Sequence, residues 1–153
     1  MIRGASLWIS TGLFAILAFS AVSLFADRDK VTFGDLEAQT KQFIAWEKTI
    51  RLTPEQELVK KAALTEIPAP CCDDNSAYTC CCSCNISRTI WGLANYMITE
   101  HDADVRTLQA KVSAWINFIT PNGYSGKACY IRGCSRAFKN DGCGGMRRSQ
   151  VVF

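Results

Sequence analysis

The sequence is poor in the groups that most enzyme sites are built from. It holds a single histidine, His101, among 153 residues. A metal site here would therefore be held almost entirely by thiolates. No Cys-x-x-Cys is followed by His, so the signal for covalent haem attachment is missing. No phosphate loop and no nucleophile elbow occurs. His101 beside Asp102 reads as a helix-end pair, and Asp73-Asp74 as a turn. The 17 basic and 14 acidic residues form no long block of one sign, which speaks against a nucleic-acid footprint. The mildly basic stretch Lys139–Arg148 has too few charges for a polybasic lipid site and reads as solvated. There is no internal repeat and no low-complexity tract. Catalysis is thus not the expected role.

Charge is also absent from Gly4 to Ala26, a run of 23 residues. As a helix rising about 1.5 Å per residue it reaches about 34 Å, enough to cross a hydrocarbon core of about 30 Å. Arg3 precedes it, whereas Asp27, Arg28, Asp29 and Lys30 follow and cancel. This bias places the N-terminus inside and the rest outside. A cleaved signal with Ala21-Val22-Ser23 as its processing site competes with an uncleaved anchor, and the length of the run favours the anchor. No cysteine ends the run and no twin-arginine pair precedes it, which speaks against a lipoprotein anchor and against export in a folded state. The expected organisation is a membrane anchor or signal over 1–27 and one extracytoplasmic domain over 28–153, on the periplasmic side.

That domain is expected to be mainly α-helical. Leu36, Phe43, Ile44, Trp46 and Ile50 form an incomplete apolar stripe within a helix over 31–52. Thr53-Pro54-Glu55-Gln56 is a helix start with a capping box, and the helix it opens must end before Pro68-Ala69-Pro70. Asn85–Glu100 carries a strong apolar face, and Val105, Leu108, Val112, Trp115, Ile116 and Ile119 give the cleanest amphipathic helix. Trp46, Trp91 and Trp115 read as core residues. Residues 122–153 hold six glycines and three cysteines and too few apolar residues for a core of their own.

Cysteine is the outlier, at nine. Six of them, Cys71, Cys72, Cys80, Cys81, Cys82 and Cys84, fall within fourteen residues, and Cys129, Cys134 and Cys143 follow much later. A helical hairpin lies between the two clusters, so they can meet at its open end. Disulfides are the first expectation, with Cys71, Cys72, Cys80, Cys82, Cys129, Cys134 and Cys143 as candidates, and an odd count leaves one thiol over. A metal site is the second, with Cys81 and Cys84 in Cys-x-x-Cys spacing completed by Cys129 and Cys134, suited to Cu(I) or Zn²⁺. Thiol redox chemistry at Cys81–Cys84, just before a helix, is a third, although the βαβ context of such enzymes is missing. Iron–sulfur clusters fall behind for want of a twin-arginine signal. Asn85-Ile86-Ser87 is a formal glycosylation sequon at a helix start.

The string CCCSCNISRTIWGL at Cys80–Leu93, with Gly142-Cys143-Gly144-Gly145-Met146, resembles a motif of uncharacterised bacterial exported cysteine-rich proteins. The chain is also similar to the PCYCGC-motif lipoproteins, but Pro70-Cys71-Cys72 lacks their compact hexapeptide and there is no lipobox. The resemblance implies a bacterial envelope protein and carries over no site residue.

Two functions are expected from these features. The first is an accessory subunit, anchored by one helix and stapled by disulfides, docked on the outer face of a membrane-protein complex of respiration or photosynthesis. Its partners would be the membrane and other membrane-protein subunits, with no nucleic acid. The second is a thiolate metal-binding or thiol-redox protein of the envelope.

Overall fold

The computed structural model describes residues 31–80, 82–123 and 133–153. The expected anchor over 1–27 lies outside the described residues, as do Cys81 and Cys129. Among the described residues no helix is long and apolar enough to cross a membrane.

The described residues form four helices: α1 (Leu36–Thr49), α2 (Pro54–Thr65), α3 (Asn85–His101) and α4 (Val105–Ile119). Two single-turn 3-10 helices follow, at Gly133–Ser135 and Phe138–Asn140. No strand is present among the described residues beyond one isolated bridge between Pro68 and Ser76. The mainly helical expectation holds.

Local chemistry explains the helix starts. At α2 the Thr53 side chain accepts from the Gln56 backbone and the Gln56 side chain accepts from the Thr53 backbone, which is the capping box read from the sequence. Asp104 caps α4 by accepting from the Thr107 backbone N–H at 2.8 Å. α1 is shorter than expected, because Asp35 caps it by accepting from Ala38 N at 2.9 Å. Gln39 Oε1 accepts from Gly34 N and Asp35 N at 2.9 and 3.1 Å, which holds the preceding residues out of the helix. Val31 and Phe33 instead run extended onto the core, with the Phe33 ring 5.1 Å from that of Trp115. α3 ends at His101, where Asp102 takes the left-handed conformation (φ 48°) and its N–H returns to the Met97 carbonyl.

α3 is the central element and touches the other three helices. It is apolar over most of its circumference, burying Ile86, Ile90, Leu93, Ala94, Met97 and Ile98. Against α1 the approach is close enough to require glycine. A Cβ at Gly92 would lie 1.8 Å from the Phe43 carbonyl oxygen. Trp115 of α4 is fully buried, and its indole N–H donates to Thr89 Oγ1 of α3 at 2.9 Å. Trp46 and Trp91 are half-buried against the same core, so these two serve packing as Trp115 does.

The glycine-rich C-terminal segment is tied to the start of α3. Asn85 N donates to the Gly145 carbonyl at 2.9 Å and Ile86 N to the Cys143 carbonyl at 3.2 Å. These are first-turn N–H groups with no partner inside the helix. The buried Asn85 amide donates to the Gly144 and Arg147 carbonyls at 2.7 and 3.0 Å, so the formal sequon is spent on structure. Phe138 is buried beneath Gly144, whose φ of +70° and lack of a side chain let the ring sit 2.3 Å from where a Cβ would be.

Candidate metal centre

The loop between α2 and α3 is held by its own backbone. Ala77 N donates to Ile67 O at 2.8 Å and Ala69 N to Asn75 O at 2.9 Å, folding residues 67–77 back on themselves. The Trp91 indole then donates to the Ala77 carbonyl at 2.9 Å, which fixes the returning limb against α3. Cys71 lies within the fold of this loop, Cys80 just after it, and Cys84 is the N-cap residue of α3. Ser87 fixes the last approach, donating to the carbonyls of Cys82 and Cys84 at 2.8 and 2.9 Å.

The result is a compact group of sulfurs. The Sγ atoms of Cys71, Cys80 and Cys84 all lie within 4.8 Å of one another. Cys71 and Cys84 are fully buried and Cys80 is 9 % exposed. Cys143, from the C-terminal segment, is also fully buried and hydrogen-bonds to Cys71 and Cys84, although it stands outside the mutual limit that the other three meet. No disulfide joins any of the four in this structure.

Electrostatics sort the four. The thiols of Cys143, Cys71 and Cys80 donate toward Cys84, and these bonds hold Cys84 far below the ordinary cysteine range despite its burial. Its position at the positive end of the α3 dipole acts in the same direction. Cys80 is pushed far up by its hydrogen bonds to Cys71 and Cys84 and by burial. Cys71 is pushed up first by its bond to Cys143, with Cys84 and burial adding to it. At Cys143 the bond to Cys71 works downward but is outweighed by Cys84 and burial, so that thiol too lies high. The four thiols are thus coupled, with Cys84 shifted downward and its neighbours upward.

That donor set fits a soft metal ion. A tetrahedral ion with metal–sulfur bonds of about 2.3 Å sets its sulfurs about 3.8 Å apart, comparable with the limit of 4.8 Å met here. A cubane cluster binds each thiolate to a different iron and needs them spread wider. Positive charge stands close by. Arg88 feels the Cys84 charge and is anchored by donating to Asn85 Oδ1 at 3.2 Å and to the Met146 carbonyl at 2.8 Å. A centre of net negative charge would be balanced on that side.

Of the metal ligands expected from spacing, Cys84 belongs to the group. Cys81 and Cys129 are outside the described residues, and Cys134 is half-buried beside the core, near enough for its charge to act on Cys143. Cys71, Cys80 and Cys143, expected as disulfide candidates, stand at or beside this same group. Sequence spacing did not single out Cys71 and Cys80 as members of this group, because the loop pairing that turns them inward is not a fixed-interval motif. The one usable signal was the expectation that the early and late cysteines meet.

Comparison with family models, with curated proteins and with solved structures finds no match to this chain.

Proposed function

We propose that this chain is a thiolate metal-binding protein, in which Cys71, Cys80 and Cys84 hold one soft ion of the zinc or copper(I) class. A single observation carries the reading: three buried thiols from two separate elements converge within 4.8 Å. Burying three sulfhydryls together has little value for packing that alanine or valine would not supply. A bound ion would neutralise the thiolates and cross-link the α2–α3 loop to the α3 N-terminus. Such a centre gives rigidity to a small domain, and it suits the accessory role on an outer membrane face that the leader segment suggests.

The test is titration of the reduced full-length chain with Zn²⁺ against a chromophoric chelator. One equivalent is expected to bind. Affinity is expected to rise with pH, because thiols bind as thiolates and hydrogen bonding and burial shift Cys71 and Cys80 upward. Protons compete at low pH, so the apparent affinity at about pH 6 should be at least about tenfold below that at about pH 8. Absence of stoichiometric binding, or binding indifferent to pH, would refute the proposal.

A further inference from the structure

The group of three thiolates leaves one corner of a tetrahedron open. We infer that Cys143 fills it, so that the ion is a closed four-sulfur zinc-class centre and acts as a clasp fastening the C-terminal segment to the start of α3. This deepens the reading above and rests on it.

The Cys143 carbonyl accepts from Ile86 N at 3.2 Å, only two residues beyond Cys84. The flanking Gly144 and Gly145 carbonyls both accept from Asn85, at 2.7 Å from the side chain and 2.9 Å from the backbone. Four hydrogen bonds from Asn85 and Ile86, counting the one to Arg147, thus fix residues 143–147 over the α3 N-terminus. With its backbone held there, the Cys143 side chain is fully buried in the same apolar cluster as Cys71, Cys80 and Cys84. The side chain is near enough to Cys71 and Cys84 to shift both thiols. Drawing it onto a shared ion asks for side-chain rotation within a preset frame.

The chemistry of the ion follows from the count. Three thiolates suit Cu(I) in a trigonal site. Four suit Zn²⁺, which is four-coordinate in structural centres and then has no open position for a substrate or water. The segment that supplies the fourth sulfur also explains what the ion is for. Residues 133–153 form only two single-turn helices and bury few large side chains besides Phe138. A metal bond at Cys143 supplies the anchorage that this segment lacks in apolar contact.

The experiment uses the full-length chain. X-ray absorption at the zinc edge of the Zn²⁺-loaded protein is expected to show four sulfurs at about 2.3 Å. Co²⁺ loading is expected to give tetrahedral bands with sulfur charge transfer, reduced by about a quarter in Cys143→Ser as one of four thiolates is lost. Zn²⁺ affinity in that variant should fall by more than about 100-fold, beyond what loss of an outer-shell contact costs. Hydrogen exchange at the Asn85 and Ile86 amides should slow on metal loading in the native chain and respond far less in Cys143→Ser. Three sulfurs plus a light atom at the zinc edge would overturn the inference without needing any variant. So would a Cys143→Ser protein with native affinity and spectrum, or a Cys134→Ser protein that loses the charge-transfer intensity in its place. These outcomes leave the three-cysteine reading standing, whereas a native chain that binds neither Zn²⁺ nor Co²⁺ removes both.

Discussion

Cys84→Ala is expected to lower Zn²⁺ affinity by more than about 100-fold while leaving the helices of the metal-free protein intact. The magnitude follows from where the residue sits. Loss of an outer-shell partner alone costs about 10–100-fold in affinity, and Cys84 is the sulfur on which the hydrogen bonds of the other three converge. It is also the one thiol of the group that its neighbours shift toward the thiolate form. The helix should survive because Cys84 offers its first turn only a sulfur contact, 3.6 Å from Ser87 Oγ, whereas the Asn85 and Ile86 N–H groups are met by the Gly145 and Cys143 carbonyls. Ser87 holds the approach through the backbone carbonyls of Cys82 and Cys84, which alanine keeps. Far-ultraviolet circular dichroism of the metal-free variant, alongside competitive zinc titration, separates loss of the ligand from loss of the fold. Native affinity in this variant would mean that the ion lies elsewhere.

Gly92→Ala should cost at least about 3 kcal/mol of stability, at the upper end of what overpacking does. In an ordinary exposed helix the same change is favourable by roughly 0.8–1.0 kcal/mol, because glycine is the worse helix former. The sign reverses here because the added Cβ would lie 1.8 Å from Phe43 O, 2.7 Å from Phe43 C and 2.8 Å from Glu47 N. All three are backbone atoms of α1, so no side chain can swing away and the helices must part. Parting them disturbs Phe43, which stacks on Trp46 and meets Trp115 edge-on at 4.7 Å. Domains of this size have a total stability of about 5–15 kcal/mol, so the loss is a large share of it. Gly34→Ala is the control, since nothing lies within 4 Å of a Cβ there. Urea midpoints for the two variants give the comparison. A Gly92→Ala protein as stable as the native chain would mean that α1 and α3 are not in backbone contact.

The helices were largely legible because their signals are local. The Thr53-to-Gln56 box and the 3, 4, 3, 1, 3 spacing of α4 specify those elements from adjacent residues, and the structure has both. The start of α1 was misjudged because Asp35 and Gln39 act as a cap in a form less familiar than the Thr53 box. The cysteine site was legible only in outline. That early and late clusters meet follows from the helical hairpin between them. Which cysteines meet depends on the folded loop over 67–77 and on the Trp91 bond to Ala77, contacts that no interval rule encodes. Asn85 shows the same limit. The sequon is only formal, and nothing in it tells that the Asn85 amide is buried and holds the C-terminal segment by two carbonyls.

The central claim is that Cys71, Cys80 and Cys84 hold one metal ion between them. It is tested most directly by alkylating the purified, zinc-reconstituted full-length chain before and after chelation, mapping the modified cysteines by mass spectrometry, and measuring bound metal on the same sample. The account predicts about one ion per chain, with these three thiols protected until the chelator removes it and reactive once it has. A disulfide joining any two of the three in that sample, or unchanged alkylation with no metal bound, would contradict it.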